Sequence, residues 1–231
     1  MIAGEKLSGE RGTTLIELMV GLMAGMAILT ALTTVLVVTL HGSARVSARV
    51  EATQRARVVV TRIMEQLHSA CVAPQIAPVR SESTGTSLTF WHATGSQSSA
   101  VAPQPTKSVI SLNNGILNQT DYAWASGASP NYVFSATGTT RKLLTRVRPV
   151  APSSSIFTYY KYSSGTLAAI PVTTSLGEAA ASTIQVKLAF NVDPERTKVA
   201  DAGADTTIQD SAPLRLTPPS FNESATALPC Q

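Results

Sequence analysis

Few side chains in this chain stand at spacings that could do chemistry. The three histidines, His41, His68 and His92, have no partner at metal-ligand spacing. There is no Gly-x-Ser-x-Gly nucleophile turn and no phosphate-binding glycine loop. The two cysteines, Cys71 and Cys230, lie far apart, and no Cys-x-x-Cys occurs. No catalytic residue, metal site or cofactor is expected. One acid does stand out by its position. Glu17 opens a run, Leu18 to Leu40, that holds no Asp, Glu, Lys or Arg. Roughly 20 such residues span a bilayer core as a helix. A carboxylate at the centre of a span costs about 2.5 to 3.5 kcal/mol on insertion scales, so an acid there is functional by default. The bland alternative places Glu17 at headgroup level, where it costs little.

The residues around Glu17 decide how it is read. Gly12-Thr13-Thr14-Leu15-Ile16-Glu17-Leu18-Met19-Val20 follows a short polar leader and precedes the apolar run. This resembles the N-terminal signal of type IV prepilins and pseudopilins. That pattern is a polar leader ending in Gly, then roughly Phe-Thr-Leu-Ile-Glu-Leu, then an apolar helix. Gly12 matches the residue before the cleaved bond, and Thr14 to Leu18 match the positions that follow. Thr13 stands where the family usually has Phe or Met. The resemblance covers about residues 9 to 40. It implies cleavage after Gly12 by a prepilin peptidase, with Thr13 as the new N-terminus and N-methylation candidate. It also implies partners: other pilins or pseudopilins in a filament, and an inner-membrane assembly platform.

The role implied for Glu17 has a simple physical basis. After cleavage Thr13 would carry a charged α-amino group. Thr13 and Glu17 stand i, i+4 and share a helix face. Within one subunit they can pair. In a filament the carboxylate of one subunit can meet the ammonium of its neighbour. In a low-dielectric core that attraction is strong and depends on axial register.

The elements that position these residues follow in chain order. Residues 1–12 are a processing segment, without the apolar centre and Ala-x-Ala site of an ordinary secretory signal. Residues 13–41 form the membrane or filament-core half of a helix. Gly21 and Gly25 make a Gly-x-x-x-Gly pair, which lets helices approach closely or reflects the general abundance of Gly in membrane helices. Thr30, Thr33, Thr34 and Thr39 are weaker helix formers and would loosen its centre. Residues 42–72 continue the helix as an amphipathic half. Ala52, Ala56, Val59, Ile63, Leu67 and Ala70 recur at steps of three and four. No Pro intervenes before Pro74. An unbroken helix from Thr13 to Ala70 would be about 85 Å long, far more than a bilayer requires.

After Pro74 the period moves toward two. Residues 73–231 are expected to form a β-rich head with long loops. Strands are expected at 87–92, 109–112, 116–119, 142–147, 156–162 and 183–190, with a short candidate at 214–216. Asn113-Asn114-Gly115 signals a hairpin, and Ser163-Ser164-Gly165 turns a strand toward Leu167. Residues 94–106, 123–139 and 193–212 are expected as loops. The fold class is α+β, with a long N-terminal helix on an antiparallel sheet, which is also the architecture the resemblance implies. Phe157, Tyr159, Tyr160 and Tyr162 are expected to divide between core and an exposed aromatic edge. Arg141, Lys142, Arg146 and Arg148 form a candidate basic patch, or solvated charges split between strand faces.

Composition bounds the function. The 231 residues carry a net charge of +4 and only 14% charged side chains, which is no nucleic-acid signature. Arg45, Arg49, Arg55, Arg57 and Arg62 follow the apolar run, while only Lys6 and Arg11 precede it. The positive-inside rule alone would put the larger group in the cytoplasm. The prepilin-like leader and the cysteines instead indicate an exported head. Cys71 and Cys230 are expected to form one bridge in an oxidising compartment, the alternative being two free thiols. The expected protein is a non-catalytic filament subunit. It would be held in a bacterial inner membrane and then moved into a surface or periplasmic filament of a type IV pilus or type II secretion system. The head is larger than a minimal major pilin's and its loops are long, and the Leu-Ile-Glu-Leu-Met-Val-Gly run and the later Phe-Thr-Tyr-Tyr strand resemble minor pilins that prime or cap a filament. The competing reading is a membrane-anchored binding module, such as an adhesin or DNA-uptake receptor.

Overall fold

A computed structural model describes residues 14–71, 76–94, 104–194 and 205–214. The chain divides into two units, residues 1–47 and 48–231. One helix, α1 (Leu15–His68), contributes to both. In the first unit it is exposed throughout its described length and free of charged side chains from Leu18 to Leu40. It is long and apolar enough to cross a membrane. The four threonines do not break it. Thr30 and Thr33 turn their hydroxyls back onto carbonyls at Met26 and Leu29, both 3.0 Å, and Thr34 does so to Thr30, 2.8 Å. Thr39 donates to Leu36, 2.8 Å. A hydroxyl satisfied inside its own helix can enter an apolar medium without an orphan donor.

In the second unit α1 buries one stripe: Ala48, Ala52, Ala56, Val60, Ile63, Met64 and Leu67. The expected stripe matches at Ala52, Ala56, Ile63 and Leu67. Val60 takes the buried place expected of Val59, which is only partly covered. The early alanines admit close backbone approach. Ile63 and Leu67, both nearly inaccessible, each contribute about 1.5 to 3 kcal/mol through burial.

The head contains ten described strands in two antiparallel sheets, where one sheet was expected. The first sheet contains β1 (Ser87–Thr94), β2 (Gln104–Asn113), β3 (Ile116–Ser126), β4 (Val133–Phe134) and β5 (Thr139–Thr145). The second contains β6 (Val147–Pro149), β7 (Phe157–Ser163), β8 (Thr166–Ile170), β9 (Gln185–Val192) and β10 (Thr206–Pro213). The fold is α+β, as expected. One core joins stripe and sheets, with Leu88, Phe90, Ile110, Leu117 and Leu144 from the first and Phe157, Tyr159, Val186, Leu188 and Phe190 from the second.

Two hairpins follow the turn chemistry. Asn114 and Gly115 have φ of 49° and 75°, and Ser164 and Gly165 have 51° and 79°. Paired positive φ values are what two-residue hairpin turns require. β9 alternates cleanly, burying Val186, Leu188, Phe190 and Val192. The expected strand at 142–147 is two strands. Arg146 has φ of 59°, and the chain leaves β3's partner β5 there to enter β6, which pairs with β9. The buried positions Leu144 and Val147 are three apart, so the inward face changes at this corner. β4 lies within the expected 123–139 loop, and β3 runs into it. β10 lies in the expected 193–212 loop. Only Ile208 and Ala212 are buried in β10, a spacing that conceals a strand. The short candidate at 214–216 is not one of the described strands. Leu214 follows β10, and 215 and 216 lie outside the described residues.

Candidate functional site

Thr14 caps α1. Its Oγ1 accepts the Glu17 backbone N–H at 3.3 Å. Thr14-x-x-Glu17 thus has capping-box spacing, a local signal that the reading of Glu17 passed over. Glu17 lies in the first turn, where a carboxylate complements the helix dipole, and its residue is exposed. Gly12 and Thr13 lie outside the described residues, as does any contact they make with Glu17. At Gly21 and Gly25 an added Cβ would meet nothing within 4 Å. Around them Leu18, Leu22, Ile28, Leu29 and Leu32 are all exposed. This segment presents an apolar helix surface that the described residues leave uncovered.

Cys71 is fully buried just past the end of α1, and no described cysteine is free. Cys230 lies outside the described residues. Cys71 shares a small cluster with Ile76 and Trp91, against which Tyr132 and Phe134 pack. The Arg80 guanidinium stacks 3.9 Å from the Trp91 ring centroid.

A polar cluster not expected from the sequence stands at the contact of α1 with the first sheet. His92 Nε2 lies 2.8 Å from Ser108 Oγ, which donates to Asp121 Oδ1 at 2.6 Å. Gln119 Nε2 donates to the same Asp121 oxygen at 2.7 Å and to Gln66 Oε1 of α1 at 3.1 Å. Arg141 pairs with Asp121 Oδ2 at 3.2 Å. Ser108 and Gln119 are wholly inaccessible, and His92 nearly so. The residue types are those of a hydrolase triad, but their order is not. Serine sits between His92 and Asp121, donates its hydroxyl hydrogen to the carboxylate, and so accepts from His92 Nε2–H. Nucleophilic catalysis requires histidine between serine and carboxylate. Burial pushes the His92 pKa down, Asp121 opposes this and Arg141 adds to it. The cluster fastens helix to sheet. Gln119 and Asp121 follow Leu117 at steps of two on β3 and so share its face.

The candidate basic patch divides. Arg141 is held by Asp121, and Arg148 by Asp193 and by Asp205, the latter at 2.9 Å. Lys142 is exposed on β5, and Arg146 occupies the corner. The aromatic strand splits as expected: Phe157 and Tyr159 are buried, Tyr160 is half-buried and Tyr162 exposed. His41 and His68 are exposed on α1. Among the described residues no group of three or more His, Cys, Asp or Glu could hold a metal.

No protein-family model matches the chain, and neither does any curated protein. Among solved structures it is similar to a type IV-like pilin from Thermus thermophilus, at 9% identity and a TM-score of 0.39, over 70% of this chain and 95% of that one. A likeness at this level establishes neither family nor function. The functional reading rests on the chain's own residues.

Proposed function

We propose that this chain is a non-catalytic structural subunit of a type IV pilus or type II secretion filament, in the position of a minor pilin or pseudopilin. The observation that carries the reading is the exposed apolar stretch of α1, opened by Glu17 and free of charge from Leu18 to Leu40. Such a surface needs lipid before assembly and neighbouring helices after it. The leader is cleaved after Gly12 by a prepilin peptidase, and Thr13 becomes the methylated N-terminus. Glu17 then sets axial register against a neighbour's α-ammonium, and Gly21 and Gly25 let helices approach. The mature protein waits in the inner membrane with its head exported, and Cys71 bridges to Cys230.

The test follows the full chain through membrane and sheared-fibre fractions. N-terminal sequencing of the mature form is expected to begin at Thr13, and Gly12→Val is expected to accumulate uncleaved. Glu17→Val makes the helix more apolar, so insertion and cleavage persist, while its yield in fibres drops at least tenfold. Another start residue overturns the processing assignment. Wild-type fibre yield for Glu17→Val overturns the register role. A wild-type chain confined to membranes, with no fibre fraction, supports an anchored binding module instead.

A further inference from the structure

β8 ends the second sheet and lies inside the described stretch 104–194. It pairs with β7 alone. Across the Ser164-Gly165 turn, Ser163 faces Thr166, Tyr162 faces Leu167 and Lys161 faces Ala168. In an antiparallel pair, bonded and non-bonded residue pairs alternate, and the pair flanking a two-residue turn is bonded. Thr166, Ala168 and Ile170 therefore bond to β7. The N–H and C=O of Leu167 and Ala169 point the other way. Among the described residues, neither makes a backbone bond outside this pairing. Thr166, Leu167 and Ala169 are exposed, and Tyr162 beside Leu167 is 70% exposed.

Edge strands are normally guarded by charge, proline, shortness or a covering element. The other described outer strands have such guards. β1 is backed by bridges from Val79 to Phe90 and from Ala70 to His92. β4 is two residues long. β5 carries Arg141 and Lys142, β6 carries Arg148, and β10 carries Asp210 and Pro213. β8 carries no charge, and none stands between Lys161 and Glu178. Two N–H and two C=O groups at strand spacing are matched by another extended backbone. Lipid supplies no such partners and would orphan them. The window holds no cation to draw a nucleic acid. A second β8 in antiparallel register would be related by a two-fold axis normal to the sheet. α1 packs its stripe from Ala52 to Leu67 against the inner faces of the sheets, so that axis would run the two helices in opposite directions. Chains anchored in one membrane by that helix run the same way, and both readings of the function share that anchor.

We propose that β8 is a docking edge for one extended, uncharged segment of a different polypeptide, bonded through Leu167 and Ala169 and seated beside Tyr162. The inference goes beyond the filament reading, and chain taken from membranes or from fibres serves its test equally. The probe is a labelled peptide of alternating valine and threonine, N-methylated at alternate residues so that one edge keeps its N–H groups. Fluorescence anisotropy with the full chain in detergent micelles is expected to show saturable binding that empty micelles lack. The same peptide methylated at every residue is expected to bind at least tenfold more weakly. Ala169→Pro removes an outward N–H, leaves the bonds to β7 in place, and is expected to lower affinity for the probe at least tenfold. Ala169→Lys keeps the backbone, adds a guarding charge, and is expected to lower it severalfold. Hydrogen exchange over 166–170 is expected to slow when the probe binds the wild-type chain. No saturable binding, or equal binding of both peptides, overturns the docking edge. So does protection of 166–170 by phosphatidylglycerol vesicles without the probe, which assigns the edge to lipid. A β8-to-β8 disulfide through Leu167→Cys in membranes overturns it too, and assigns the edge to a second copy.

Discussion

At the residue scale, polar side chains gain their meaning from where the fold puts them. Glu17 could be picked out because its whole context is local: the residues just before it and the apolar run that follows. His92 could not, because its partners come from three other elements. Its burial implies a pH dependence of stability. Burial lowers its folded pKa from the ordinary 6.5, Asp121 pulls the other way, and Arg141 lowers it further. Ser108 and the Gln119–Gln66 link complete its surroundings. A histidine with a depressed folded pKa takes up its proton more readily when unfolded. Its contribution to stability is therefore complete above about pH 6.5 and is lost as pH falls from there through the folded pKa. The full chain in detergent is expected to unfold at lower urea near about pH 5.5 than near about pH 7.5. His92→Gln, which cannot titrate, is expected to flatten that difference. An equal difference in the variant would assign the effect to the carboxylates instead.

At the element scale, the two sheets meet along a seam at residues 81–87. The carbonyls of Ser81 and Ser83 accept N–H groups from Gly177 and Leu176, at 2.9 and 2.7 Å. Gly85 accepts from Ile156 and Phe157 at 2.8 and 2.9 Å, and a Cβ there would overlap the Ser155 side chain. The buried Tyr159 hydroxyl donates to the Thr84 carbonyl at 2.8 Å. Burial pushes the Tyr159 pKa up, which keeps it a neutral donor. Tyr159→Phe removes this bond and leaves the ring in place. It is expected to cost about 1 kcal/mol, read as a fall of about 2 to 4 °C in melting temperature for a domain this size. An unchanged melting temperature would mean the seam does not depend on that donor. The seam also marks the limit of what the sequence discloses. α1 was legible because its signals lie three and four residues apart, and the β2–β3 turn because Asn114-Gly115 states its own φ. The division into two sheets depends on Arg146, a residue type with no preference for positive φ. β10 is a strand because β9 lies beside it, and its own polar residues do not say so. Likewise Gln66 and Gln119 are 53 positions apart, beyond any local pattern.

At the scale of the whole molecule, the proposed bridge from Cys71 to Cys230 would tie the fold to export. Cys71 follows α1 directly and is wholly buried. Cys230 is the penultimate residue, in a tail with Pro218, Pro219 and Pro229 and little apolar content. Such a bridge would close nearly all of the head into one loop. For a loop that long the chain-entropy relation gives on the order of 5 kcal/mol, an upper-end figure that native strain reduces. Cys230→Ser is therefore expected to lower the melting temperature of the exported protein by up to about 10 to 20 °C. Cleavage after Gly12 is expected to be untouched, because the leader is read before the head contributes. Non-reducing peptide mass spectrometry should join the two cysteine peptides in protein taken from the exported fraction. Alkylatable thiols at both positions in that fraction would remove the bridge, and with it one of the two arguments that set the exported head against the positive-inside rule.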